Sequence, residues 1–251
     1  RHFDVGQAGQ HHPLFINVKG IRYERSYSLT QIDAQHVLLT VKKVDQGKVS
    51  SWLVEQSQVG DVLEFGQPYG DMLLPEYAQP MILLAAGSGI TPMLSLLKAL
   101  SKTQRITQAP IHLMYWVSKY HDFAFKARFE VLAAQYPNFF FQVFYTQESD
   151  AGDRLSQQHI ALVADVESSV VYACGPSGFV TQAEQLFTHA HSFKSEAFSM
   201  TPVENSELGF VNITLLKSKK ILTIPKGQSI LTSLEQQNIK PTHGCRMGIC
   251  N

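Results

Sequence analysis

MILLAAGSGITPMLSLLKAL, Met81–Leu100, decides the fold. Met81–Ala86 is an unbroken apolar run, which reads as a strand buried on both faces rather than one with a wet side. Gly87-Ser88-Gly89 follows as a tight turn. Thr91–Ser101 then reads as a helix, with Met93, Leu94, Leu96, Leu97 and Leu100 gathered on one side. Pro92 falls in the first helical turn, where its missing N–H costs nothing.

Downstream, the same alternation continues. Ile111–Val117, Phe139–Tyr145 and Ser169–Ala173 read as further buried strands. Helical patterns lie at Phe123–Gln135, at Ser156–Val163 and from Cys174-Gly175-Pro176 to about His189. Apolar strands alternating with helices specify a parallel sheet covered on both faces. Upstream, Phe15–Val18, Ser26–Thr30, His36–Val44 and Asp61–Phe65 are short strand-like stretches broken by glycines, which predicts an antiparallel barrel or sandwich. The region 193–208 lacks a clear period and reads as a linker. Val211–Leu216 and Ile221–Ile224 form a hairpin pattern, and a helix follows from about Ser229 to Gln237. The expected domains are 1–78, 79–195 and 209–251, with a linker at 196–208.

Composition bounds the function. The 251 residues are 44% apolar and 17% charged, ample for a packed core, and the 21 basic residues balance the 21 acidic ones. Without a net positive field, a dedicated nucleic-acid binder is not expected. The longest apolar run is far too short to cross a bilayer, so a soluble cytoplasmic protein is expected. Three cysteines, Cys174, Cys245 and Cys250, point to reduced thiols or metal ligation rather than a disulfide framework. The chain starts at Arg1 and stops one residue after Cys250, so a piece of a longer polypeptide is expected.

Five short motifs can carry chemistry. In Arg25-Ser26-Tyr27-Ser28, an Arg fork suits a phosphate and a Tyr offers a flat face to a planar ring, although an ordinary edge strand accounts for the same residues. Gly47-Lys48-Val49-Ser50-Ser51-Trp52 places a glycine and small hydroxyls at a helix start, fit for phosphate oxygens or for plain capping by Ser50 or Ser51. Gly87, Gly89, Thr91 and Pro92 form a strand-to-helix turn that lets backbone amides approach a pyrophosphate, or a turn with no ligand. Cys174-Gly175-Pro176 ends a buried strand where ligands of open α/β sheets gather, yet Cys174 also suits a small core residue. Cys245-x4-Cys250 has the spacing of the first two ligands of a plant-type two-iron ferredoxin, against two unrelated thiols or half a zinc site. None of the scattered histidines, His11 and His12 included, falls into a hydrolase triad pattern.

In this order, the motifs RSYS, GKVSSW, GSGITP, CGP and GCRMGIC resemble the ferredoxin-NADP reductase superfamily, and in particular members with a C-terminal plant-type ferredoxin domain. The resemblance implies a multi-domain chain: an antiparallel β-barrel flavin domain, an α/β nucleotide domain and a partial β-grasp ferredoxin domain. It implies that Arg25 binds flavin pyrophosphate, Tyr27 packs on the isoalloxazine and Ser28 bonds near N5, with Gly47, Val49 and Ser50 at the second phosphate element. Gly87, Gly89, Thr91 and Pro92 would hold the dinucleotide, Cys174, Gly175 and Pro176 would lie beside the nicotinamide, and Cys245 and Cys250 would be cluster ligands. Ala8-Gly9-Gln10 is similar to the family's PGQ segment, which about two further strands ordinarily precede. The implied activity is transfer of electrons from NAD(P)H through FAD, or FMN, and a [2Fe-2S] cluster to an oxygenase or desaturase. The flavin stands between them because a nicotinamide gives two electrons as a hydride and a cluster takes one at a time. Ser118 and Lys119, with Lys126 and Arg128 beyond, lean toward NADPH, while Asp122 opposes that lean. A flavin reductase or oxidase without a working cluster and a non-enzymatic interaction protein are the rival readings.

Overall fold

A computed structural model describes residues 3–18, 21–45, 47–148, 153–198, 209–226 and 230–239. The chain divides into two compact units, 1–199 and 200–251.

The first unit opens with an antiparallel sheet of β1 (His11–Val18), β2 (Ile21–Gln31), β3 (Val37–Leu39) and β4 (Glu64–Phe65), in the order β3-β2-β1-β4. Strands β1 and β2 are longer than the apolar pattern predicts, because their register also pairs polar residues: His11 with Ser28, His12 with Tyr27 and Leu14 with Arg25. The expected strand at His36–Val44 shrinks to β3, and that at Asp61–Phe65 to β4. Helix α1 (Lys48–Glu55) leans its buried Val49 on Leu14 and Ile16, with Tyr27, Trp52 and Phe65 packed around them.

A five-stranded, all-parallel sheet follows: β5 (Met81–Ala86), β6 (Ile111–Val117), β7 (Phe139–Tyr145), β8 (Val170–Gly175) and β9 (Ser192–Ala197), ordered β7-β6-β5-β8-β9. The period of two along β5 sorts the core. Met81, Leu83 and Ala85 face helices α2 (Ile90–Lys102) and α3 (Lys126–Gln135), and Ile82, Leu84 and Ala86 face α4 (Ser177–Leu186). Burying a side chain of this size contributes about 1.5–3 kcal/mol, which accounts for a strand with no polar residue. Two expectations change here. Residues 157–162 form 3₁₀ turns rather than an α-helix, with Ser156 and His159 capping each other. The stretch expected to begin a linker instead carries β9 through Ala197, its register with β8 continuing to the pair Gly175 and Ala197. Its six residues are all half-buried, so no apolar alternation marked it.

The antiparallel and parallel sheets belong to one unit, and the segment that joins them is pinned to the parallel-sheet side. Tyr172 Oη and Lys194 Nζ each donate to the Leu73 carbonyl at 2.8 Å, Arg105 reaches the Pro75 carbonyl at 2.8 Å, and α2 packs against β2. Gly9, at φ +93°, lies so close that a Cβ on it would stand 2.0 Å from the Met72 carbonyl oxygen.

Within the second unit, β10 (Phe210–Leu215) and β11 (Lys220–Pro225) form an antiparallel hairpin, and α5 is Ile230–Gln236. Leu222, Ile224 and Leu234 make its small core. No helix among the described residues is long and apolar enough to cross a membrane.

Candidate functional site

Strand β5 lies at the centre of the parallel sheet, flanked by β6 on one side and β8 on the other. The chain order reverses there, and a crevice opens beyond the strands' C-terminal ends. A cleft of about 810 Å³ occupies that place. Gly87, Ser88 and Thr91 line it from the turn after β5, Ser118, His121 and Asp122 from beyond β6, and Pro176 and Phe179 from beyond β8. Thr40, Val41 and Lys42, which follow β3, line its far wall.

Sequence chemistry shapes the turn. Gly87 sits at φ +55°, a left-handed conformation that disfavours a side chain, and nothing lies within 4 Å of where its Cβ would be. The backbone is bare toward the cleft at that point. Thr91 Oγ1 donates to the Ser88 carbonyl at 3.1 Å, and Tyr115 Oη on β6 donates to the Gly87 carbonyl at 3.1 Å, so two hydroxyls hold the loop. Burial pushes the Tyr115 phenol well above its ordinary value, keeping it a neutral donor. Gly89 serves close approach: a Cβ there would meet the Cys174 carbonyl oxygen at 2.0 Å. Beyond β6, the Lys119 N–H donates to Asp122 Oδ2 at 3.2 Å, which turns that carboxylate back onto its own loop.

The cleft gathers Gly87, Thr91, Ser118 and Pro176 from the residues anticipated in sequence; Lys119 is exposed outside its lining. Gly89, Pro92 and Gly175 are buried supports of its floor. The flavin motif lies on β2, away from that lining. Arg25 Nη1 donates to the Glu24 carbonyl at 2.6 Å, and Ser26 Oγ lies 2.6 Å from Tyr69 Oη. Tyr27 is half-buried in the antiparallel core, and burial raises its phenol despite the nearby Arg25 charge. At the start of α1, Gly47 is the capping residue and neither Ser50 nor Ser51 caps through its side chain; Ser50 Oγ instead accepts the Val44 N–H at 3.1 Å.

A second cluster fills the seam between the two sheets. Ser28 is 4% exposed, and its hydroxyl has no hydrogen-bond partner among the described residues. Opposite it in the β1–β2 register stands His11, whose Nδ1 lies 2.6 Å from Glu196 Oε1 on β9. Glu196 in turn pairs in register with Cys174 on β8. Cys174 is fully buried, so its thiol is sealed beneath the cleft and is not one of its lining groups. Burial pushes this thiol well above its ordinary value, and the Glu196 carboxylate adds to the effect. Sequence reasoning missed His11 and Glu196: the first was one of many histidines, and the second sat in a supposed linker. It also missed Arg154, which lines the cleft from an irregular segment. Cys245 and Cys250 lie outside the described residues.

An unsatisfied buried hydroxyl costs about 1–3 kcal/mol, so Ser28 Oγ asks for a polar partner that the described residues do not supply. With the bare Gly87 turn, it makes the residues present fit a flavin at the seam and a dinucleotide in the cleft. Residues 6–73 match the oxidoreductase FAD-binding domain and residues 83–185 the oxidoreductase NAD-binding domain, together more than half of the chain. The chain belongs to the FAD- and NAD-binding oxidoreductases of ferredoxin-NADP reductase type. It is 32% identical over 255 residues to an NADPH oxidoreductase of Mycobacterium tuberculosis, covering 97% of this chain and 65% of that protein. It is 28% identical to the NADH oxidoreductase HCR of Escherichia coli, covering 90% and 70%. Against the toluate 1,2-dioxygenase electron transfer component of Pseudomonas putida it is 28% identical, covering 68% and 51%. Among solved structures, the FAD/NAD-binding domain of a Vibrio cholerae nitric oxide dioxygenase superposes with a TM-score of 0.68 at 26% identity, covering 76% of this chain and 85% of that domain. Phthalate dioxygenase reductase, a modular structure for electron transfer from pyridine nucleotides to [2Fe-2S], shares the fold with a TM-score of 0.66 at 24% identity, covering 98% and 74%.

Proposed function

We propose that this oxidoreductase takes a hydride from NADPH onto bound FAD and delivers electrons one at a time, through a [2Fe-2S] cluster begun by Cys245 and Cys250, to a partner oxygenase or desaturase. The observation that carries the reading is the bare Gly87 turn opening into a cleft whose far wall is the Thr40–Lys42 segment that leaves β3 of the antiparallel sheet. The flavin supplies the chemistry that no side chain has: acceptance of a hydride and its release as single electrons.

The chain's residues supply position and polarity. Backbone amides at Gly87–Thr91 and the positive end of α2 receive the dinucleotide's pyrophosphate. Arg25, with Gly47, Val49 and Ser50, would hold the flavin phosphates, Tyr27 would pack on its ring, and Ser28 Oγ would donate to its polar edge. Cys174, held as a neutral thiol, would back the nicotinamide site from beneath the cleft without adding a charge to it. Ser118 and Arg154 line the cleft where the adenosine ribose would lie, and both suit a 2′-phosphate. The cluster and its partner rest on the Cys245-x4-Cys250 spacing and on the phthalate dioxygenase reductase and toluate dioxygenase relatives.

Three measurements on the full-length protein test this. Released flavin identified by chromatography should be FAD, and FMN would overturn that choice. kcat/KM should favour NADPH over NADH by at least about tenfold, and the reverse order would refute the roles of Ser118 and Arg154. The visible spectrum should carry an iron–sulfur component beneath the flavin bands, and its absence from iron-replete protein would leave a flavin reductase without a cluster.

A further inference from the structure

We infer that His11 is a positioning residue: its contact with Glu196 latches the flavin-type sheet to the edge of the nucleotide sheet and so aligns donor and acceptor for hydride transfer. This rests on the function proposed above. The case is built from register. His11 is the first residue of β1 and stands opposite Ser28, and Glu196 lies on the edge strand β9 beside Cys174. One contact of 2.6 Å therefore links the two residues expected on either side of the reaction centre.

The contact is sheltered. The His11 and Glu196 side chains are 5% and 9% exposed, and the His11 ring is boxed by the Tyr69 ring at 3.9 Å between centroids and by Gly70, whose Cβ would meet Nδ1 at 3.1 Å. Water has little room to substitute for either partner. The His11–Glu196 approach is a close polar contact without hydrogen-bond geometry: His11 Nδ1, His11 Nε2 and Glu196 Oε1 all lack a hydrogen-bond partner among the described residues, and so does Ser28 Oγ across the same strand pair. Four polar atoms left without hydrogen bonds on these neighbouring positions fit a polar ligand edge arriving there rather than a purely structural knot. Tyr172 and Lys194 on the Leu73 carbonyl of the connecting segment, and α2 on β2, do not involve His11, so the unit should fold without the latch.

The test is anaerobic stopped-flow reduction of full-length holoprotein carrying His11→Phe, His11→Asn, Glu196→Ala or the double variant His11→Phe/Glu196→Ala. Phe keeps the ring against Tyr69 but removes both nitrogens; Asn returns a nitrogen near the position of Nδ1. Displacement of about 1 Å at a reacting centre costs on the order of 10²-fold. His11→Phe and Glu196→Ala should therefore each slow flavin reduction by about 10- to 100-fold, with flavin content and nucleotide Kd within about threefold of wild type. The double variant should be no slower than the slower single one, and His11→Asn should recover most of the rate. Reduction of His11→Phe at the wild-type rate would overturn the latch. So would a loss matched by weaker nucleotide binding, or an Asn variant no faster than Phe. If wild-type protein is itself not reduced by NADPH or NADH, the functional reading fails and the latch with it; if only the variants behave as wild type, the latch alone fails.

Discussion

Gly89→Ala is the sharpest probe of how the two βα turns meet. Gly89 has φ −61° and ψ −7°, ordinary helical backbone that alanine adopts without strain, so the substitution changes packing alone. The new methyl would lie 2.0 Å from the Cys174 oxygen, 2.4 Å from its carbonyl carbon and 2.8 Å from the Gly175 nitrogen, all main-chain atoms that cannot swing aside. Restoring even a 3.0 Å contact requires the β5 turn and the end of β8 to separate by about 1 Å. Overpacking of this kind costs about 1–3 kcal/mol, and a 1 Å displacement at the reacting centre costs about 10²-fold in rate. Denaturant melts of the holoprotein and stopped-flow flavin reduction measure the two effects separately. Leu100→Ala, on the same helix but at its far end, is the comparison. It should lose about 2–5 kcal/mol to a cavity while reducing flavin at the wild-type rate. Gly89→Ala that melts and reacts like wild type would refute the close approach of the turns.

Three further outcomes follow from the same structure. Tyr115, Tyr172 and Cys174 are held neutral by burial, with folded values raised above ordinary ones of 10.0 and 9.0. Below pH about 9 neither state ionises them and their contribution is intact. Above it the unfolded chain releases these protons and the folded one does not, so stability should fall by up to about 1.4 kcal/mol per pH unit for each group; a flat profile from pH 9 to 11 in denaturant melts would contradict their burial. Tyr115→Phe should leave the Gly87 carbonyl unbraced, raising KM for the nucleotide several-fold and costing about 1 kcal/mol in the melt. Arg25→Ala should lower the flavin retained after gel filtration, and retention equal to wild type would argue against its pyrophosphate role.

The parts of the fold legible in sequence are those where one physical term dominates. Met81–Ala86 has no polar residue, so burial on both faces was forced, and Gly87-Ser88-Gly89 with Pro92 punctuated strand and helix unambiguously. The edge strand β9, SFKSEA, was invisible because its residues are half-buried and mostly polar, held by pairing with β8 and by Lys194 reaching Leu73, with Phe193 alone packed on the apolar core. Likewise β1 extends back to His11 and His12, two buried histidines whose partners come from distant segments: Glu196 for one, the Val5 and Gly66 carbonyls for the other. Local pattern carries no trace of such pairings. The motifs marked the turn after β5 and the strand that carries Arg25–Ser28, but the seam of His11, Ser28, Cys174 and Glu196 depends on two registers that only the folded chain reveals.

The central claim is that NAD(P)H bound at the Gly87 turn reduces a flavin seated at this seam. Anaerobic mixing of the full-length yellow protein with NADPH tests it most directly. The account predicts rapid, saturable bleaching of the flavin absorbance, with a rate that responds to deuterium at the transferred position of the nicotinamide. Folded, flavin-loaded protein that keeps its colour in excess NADPH and NADH would contradict it.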